Sequence, residues 1–219
     1  MNNLFNMDNG FFTALGKICD MIFLSVVWVL LCIPIITIGP ANTAMYYATV
    51  KVIRKERGYL FREFFKSFRL NFKRGAIVGV ILTVIFIILA IDLIWAWGAL
   101  NTDDKKAPIL FGVFAALTLM AINFSIYVFP VLSRFDMTVK HLIKAAAFMS
   151  LKHLPYTLGM LVIVVISFIG VFYMPILVFI LPAAAVFVNS FLMERVLKKY
   201  MPKSEEPEGE IKKDEWYMD

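Results

Sequence analysis

Charge is missing from four long stretches of this chain, and that distribution constrains the fold more than any other feature. Residues 156–193 run for 38 positions without an ionisable acid or base, and residues 107–132 carry none. Residues 76–97 carry a single one, Asp92, and residues 21–50 are again uncharged. A hydrocarbon slab about 30 Å thick accepts such segments as helices, because a helix satisfies its own backbone. At about 1.5 Å per residue the 38-residue run would be about 57 Å long, so it must turn back. With 61% hydrophobic residues and 17% charged ones, too little polar sequence remains to cover these runs as a soluble core. The expected fold class is therefore all-α, a polytopic membrane helical bundle over residues 1–200. The acidic segment 201–219 has no apolar period and is expected to be a disordered cytoplasmic tail.

Basic residues set the expected topology. Nine lysines and arginines fall between Ala41 and Gly75, four between 133 and 155, and three directly after the last run. The positive-inside rule places all three segments in the cytoplasm. Counting crossings on that basis gives five transmembrane helices, with the N-terminus outside, the C-terminus cytoplasmic, and the last run turning near Tyr173–Pro175. The N-terminus shows no cleavable signal pattern, so the first run is expected to stay as an anchor in the cell membrane. Cys19 and Cys32 lie about 20 Å apart along one helix and cannot pair there. Lys17 and Asp20, three residues apart, can pair on one face.

Two basic segments read as amphipathic helices at the cytoplasmic interface. In FREFFKSFRLNFKR, residues 61–74, phenylalanines recur at helical spacing while Arg62, Lys66, Arg69 and Lys73 take the other face. A second helix is expected over Thr138–His153, with Lys140, Lys144 and Lys152 toward one side. Such cations face anionic lipid headgroups, or the surface of a partner protein. This explanation of the basic charge leaves no reason to invoke nucleic acid.

The candidate site is a break in the first apolar stretch. Pro34 stops or kinks the helix, and Thr37 or Gly39 can cap a new one with Pro40 in its favoured first position. Backbone exposed at membrane depth is tolerated only against protein or beside a cavity. Thr37, Gly39, Pro40, Asn42 and Thr43 at the break, with Asp92 and Asn123 from later helices, therefore form a possible membrane-embedded polar site. No carboxylate dyad, nucleophile–base set or metal cluster is visible, so no enzyme activity, metal or cofactor is expected. The second half of the last run, MPILVFILPAAAVFVNSFLMERVLKK, echoes the break in outline: a proline, an apolar spacer, a second proline with alanine, and a helix ending in bases.

Three segments together carry a family resemblance: PIITIGPANTAMYY (34–47), FREFFKSFRLNFKRG (61–75) and YVFPVLSRFDMTVKHLIKAAAFMSLKHLPYT (127–157). With them the chain resembles the YesL family of bacterial membrane proteins from about Leu15 to Lys199. The resemblance implies about five helices. It also implies a setting near sugar-uptake transporter components and polysaccharide-degrading enzymes in Gram-positive bacteria. It supplies no catalytic residues. Two functions follow as expectations. One is an accessory or assembly subunit of a carbohydrate ABC transporter, contacting permease or ATPase subunits. The other is a small solute transporter or channel, working as a homo-oligomer, with its site at residues 37–43.

Overall fold

A computed structural model describes residues 10–100 and 106–201, and every described element is helical or a turn. The expected acidic tail lies outside the described residues, apart from Met201. Helix α1 covers Gly10–Cys32 and is followed by a 3-10 turn, Ile35–Thr37. Helix α2 covers Ile38–Ala48 and continues into a π-helical turn, Thr49–Arg54. Then come α3 (Leu60–Leu70), α4 (Phe72–Ala99), α5 (Ala107–Arg134), α6 (Val139–Lys152) and α7 (Leu154–Tyr173). A second 3-10 turn, Pro175–Phe179, leads into α8 (Leu181–Leu197).

Four of these helices are long and apolar enough to cross a membrane: α1 from Thr13, α4, α5 and α7. Their outer faces are lined by exposed Ile, Val, Leu and Phe side chains, which is the surface a bilayer requires. Sequence led to an expectation of five spanning helices; four reach that length and apolarity, and two shorter helices run back beside them. α2 with its π turn, and α8, each hold 17 residues, about 25 Å of helix. The expected single broken helix is two elements, a spanning α1 and a separate, buried α2.

Hydrogen bonds and ion pairs fix which ends of the helices lie together. Trp28 on α1 donates through Nε1 to Asn42 Oδ1 on α2 at 2.9 Å, and Lys17 meets Glu56 at 2.7 Å. The pairs 28/42 and 17/56 describe an antiparallel hairpin. Lys17 therefore bridges to the turn after α2, rather than pairing with Asp20. Arg74 at the start of α4 pairs with Asp136 just past α5, closing a second hairpin. Arg54 Nη1 donates to Ser190 O of α8 at 2.9 Å, which brings α8's last turns to the same end. The start of α1, the end of α8 and all the basic segments therefore share one end of the bundle. The α1–α2 and α7–α8 hairpins have the same plan, a long helix, a 3-10 turn, then a shorter helix opened near a proline. They are the two halves of the sequence echo.

The side chains that hold this arrangement are small. Ser25 on α1 accepts the Ala183 N–H of α8 at 3.1 Å, which satisfies one of the donors a helix N-terminus leaves open. A Cβ built on Gly39 would lie 1.9 Å from the Gly75 carbonyl oxygen and 3.0 Å from Gly79 Cα. α2 therefore crosses α4 backbone on backbone, over a Gly-x-x-x-Gly pair that admits no side chain.

α3 packs its Leu60, Glu63, Phe64 and Ser67 face inward, with Phe64 fully buried among Leu24, Met45 and Ile53. The phenylalanine period of the sequence thus serves the protein interior first. Phe61, with 61% of its surface exposed, is left for lipid.

Candidate functional site

α2 is the centre of the molecule. Gly39, Pro40, Ala41, Thr43, Ala44, Met45, Tyr46 and Ala48 are all buried, and the helix touches α1, α3, α4, α5 and α8. The polar groups at the expected site serve this packing. The Thr37 hydroxyl lies against the Leu31 carbonyl and 2.7 Å from that of Pro34, which closes the end of α1. Thr43 Oγ1 donates to Gly39 O at 3.0 Å within α2. Gly39 and Pro40 face Gly75 at backbone distance. Of the break residues, Asn42 reaches a cavity.

That cavity, of about 270 Å³, lies between α2, α5 and α8, with Phe86 of α4 and Val164 of α7 completing the wall. Its polar lining is Asn42, Tyr46, Ser125 and Asn189. Asn123 and Asp92 do not join it. Asn123 lines a separate, apolar cavity of about 340 Å³ between α4, α5, α6 and Leu154, where its buried Oδ1 has no hydrogen-bond partner. Asp92 is half-buried near the far end of α4, away from both. The seven expected polar positions therefore do not converge.

Beside the Asn42 cavity sits an ion pair that sequence reading passed over. Arg134 Nη2 donates to Glu194 Oε1 at 2.6 Å, and Tyr46 OH donates to the same oxygen at 2.7 Å. The two charged side chains are 1% and 4% exposed, so water does not screen the pair. Three elements, α2, α5 and α8, are tied at one carboxylate oxygen. In the sequence Arg134 and Glu194 look like ordinary charges ending apolar runs. The signal that could have exposed them is their opposite sign at the same end of two hairpins.

The π turn gathers further charge. Lys51 Nζ bonds Glu63 Oε2 at 2.9 Å and Tyr47 OH at 3.2 Å, which pins α3 under α2. Burial works against the Lys51 charge, but the bonds from Glu63 and Tyr47 outweigh it and hold the pKa above the ordinary lysine value. Lys55 is pushed the other way, by burial and by Arg134 nearby. Arg54 lies over the Phe191 ring at 4.3 Å. A wide π turn suits this crowding, because it lets successive basic side chains fan toward α3 and α8.

The expected surface cations are on the surface. Arg62, Lys66, Arg69 and Lys73 are exposed at i, i+4, i+7 and i+11, and Lys140, Lys144 and Lys152 are exposed along α6. Lys152 stands over the Phe148 ring at 5.1 Å. His153, at the joint of α6 and α7, lies 2.9 Å from Tyr200 OH. Partial burial and the charges of Lys199 and Lys152 depress its pKa, which favours the neutral ring.

In sequence the chain is similar to uncharacterised bacterial proteins. Residues 21–93, from inside α1 to inside α4, match the family described as protein of unknown function, DUF624. The matched stretch contains Gly39, Gly75 and Gly79, the α2–α4 contact. The chain is 28% identical over 176 residues to the uncharacterized protein YteU of Bacillus subtilis (strain 168), covering 79% of this chain and 75% of that one. It is 25% identical over 142 residues to the uncharacterized protein YesL of the same organism, covering 63% and 65% respectively. The chain thus spans a little under two thirds of YesL. No solved structure matches. The four long apolar helices support a multi-helical, multi-pass membrane protein, and the comparisons add a distant similarity to YesL and the DUF624 match.

Proposed function

We propose that this protein is a non-enzymatic subunit of a membrane transport assembly, docking to the permease or ATPase of a carbohydrate ABC importer. The observation that carries the reading is the packing of the break. Gly39 lies on Gly75 and Gly79 at backbone distance, so residues 37–43 hold the bundle together and leave no passage at α2's first turn. The carbohydrate setting rests on the YesL resemblance alone. Docking falls to the exposed cations Arg62, Lys66 and Arg69 of α3, Lys73 at the start of α4, and Lys140, Lys144 and Lys152 of α6, which stand at one end of the bundle. The same cations suit anionic lipid headgroups.

The test is stoichiometric capture from native membranes in mild detergent. Permease or ATPase subunits should co-purify with the wild type, and Arg62→Glu with Arg69→Glu should reduce their recovery about tenfold. Equal recovery from the doubly reversed variant removes α3 as the contact.

Orientation belongs to the same proposal. The positive-inside rule puts the basic end in the cytoplasm, and the Lys17–Glu56 pair puts the start of α1 at that end. Both chain ends are then cytoplasmic, which replaces the external N-terminus expected from counting five crossings. A reporter that fluoresces only in the cytoplasm will be bright when fused at either end. A dark N-terminal fusion beside a bright C-terminal one restores the odd crossing number.

A second reading, an oligomeric transporter or channel, has one observation behind it. Asn42 of the break opens on the cavity between α2, α5 and α8.

A further inference from the structure

The polar wall of the Asn42 cavity holds several acceptors whose donors are absent or spent elsewhere. Asn189 Oδ1 is buried without a partner. Ser125 has given its proton to Ala121 O at 2.8 Å, and Tyr46 has given its own to Glu194. Pro130, inside α5, has no N–H for the carbonyl of Ile126, and both residues line the cavity. On the donor side, Asn42 keeps its amide N–H groups, since its oxygen takes the Trp28 proton, and Asn189 brings an amide of its own. A cavity with this lining calls for a molecule that brings hydroxyl protons.

Charge and depth narrow the class. The one carboxylate beside the cavity is neutralised by Arg134, so nothing here balances a cationic ligand. Arg134, with Lys55 close by, lies on the headgroup side of the cavity. Ser125 stands nine residues before Arg134, about 13 Å deeper along α5, and Asn189 stands five before Glu194, about 7 Å deeper along α8. Charged headgroups do not reach that depth without a partner. Eight of the twelve lining residues are apolar, Phe86, Phe129 and Met193 among them. A sugar, with hydroxyls on every edge, would leave most of them unpaired against such walls. A lipid alcohol would not.

We infer that the cavity between α2, α5 and α8 binds the free hydroxyl and ester region of a neutral glycerolipid of the diacylglycerol class. Its hydroxyl donates to Asn189 Oδ1, an ester carbonyl accepts from the Asn42 amide, and its chains leave into the bilayer. At about 270 Å³ the space takes the glycerol region and the first methylenes, near the lower limit for a small-molecule site. This site does not rest on the transporter-docking proposal and stands or falls separately.

The experiment is thermal unfolding of the full chain in phosphatidylcholine nanodiscs, with and without about 5 mol% dioleoylglycerol, since a ligand that binds the folded form stabilises it by mass action. The wild type should gain about 3 °C or more in its midpoint. Trioleoylglycerol, which lacks the hydroxyl, should give no gain. Asn189→Leu should fold as well as the wild type without added lipid, because it removes an unpaired acceptor, and should lose the gain. Ser125→Ala should keep part of it. Equal gains for the wild type and Asn189→Leu, or for the two glycerides, overturn the site. So does a gain that appears with free glucose and not with dioleoylglycerol. Destabilisation of Asn189→Leu in the absence of lipid also overturns it, by showing that Asn189 already has an internal partner.

Discussion

Gly39→Ala is expected to cost about 3 kcal/mol or more of stability, through one added methyl group. The new Cβ would lie 1.9 Å from the Gly75 carbonyl oxygen and 2.7 Å from its carbon. These are backbone atoms of a spanning helix, which cannot rotate aside as a long side chain can. α2 or α4 must therefore move, and α2 is held on other sides by α1, α3, α5 and α8. Gly79→Ala meets the same wall from the opposite face, 2.7 Å from Gly39 N and 2.8 Å from its Cα. Gly16→Ala and Gly112→Ala are the controls, because nothing lies within 4 Å of either added methyl. Within a helix those two changes should be neutral or stabilise by up to about 1 kcal/mol. Reversible unfolding in mixed micelles, followed by circular dichroism, separates the two groups. If Gly39→Ala unfolds within about 1 kcal/mol of the wild type, α2 does not cross α4 at this glycine pair.

That contact shows where the sequence was legible and where it stopped. Hydropathy located α1, α4, α5 and α7, since a bilayer filters for length and apolarity, which one chain displays by itself. Helical periodicity located α6 to within a residue at each end, but the helix expected over 61–74 breaks at Asn71: α3 ends at Leu70, and Phe72, Lys73 and Arg74 open α4. Neither signal says what a helix touches. Gly75 and Gly79 stand four apart in plain view, but their partner is a glycine 36 positions away from Gly75. α2 carries no charge and looks like the rest of a spanning helix; only the Trp28–Asn42 and Lys17–Glu56 contacts show that the chain has turned back. The number of crossings is hard to read for the same reason. Two 17-residue return helices are shorter than a typical spanning helix of about 20 residues, so charge flanks alone assigned them incompletely. At the candidate site, Asn42 was found by its neighbourhood to the prolines. Asn189, Ser125 and Pro130 have no local mark, because what sets them apart is a missing or spent donor.

Glu194→Leu and Arg134→Met, made singly, are each expected to destabilise by about 3–5 kcal/mol, and made together to recover most of the loss. The reason lies in the environment. Either single change takes from the other charge its partner at 2.6 Å, in a site that is 4% exposed or less. The double change leaves two apolar side chains of similar reach and no stranded charge. Tyr46→Phe removes one bond to the same carboxylate oxygen and keeps the ion pair, so about 1–3 kcal/mol is expected there, the upper part because the acceptor is charged. A double-mutant cycle read from unfolding in micelles gives the coupling directly. Additive single effects would mean that water reaches one of the partners. A strong coupling with a stable double variant gives the pair a narrower meaning. Its role is then to hold the return helices α2 and α8 in register with α5, since an apolar contact of equal strength would permit them to slide. The double variant tests that as well. If Lys51 and Arg54 still reach Glu63 and Ser190, cross-links placed at those positions form at wild-type yield, and register is set elsewhere. If the yield falls while stability holds, the carboxylate shared by Tyr46 and Arg134 is what aligns the three helices.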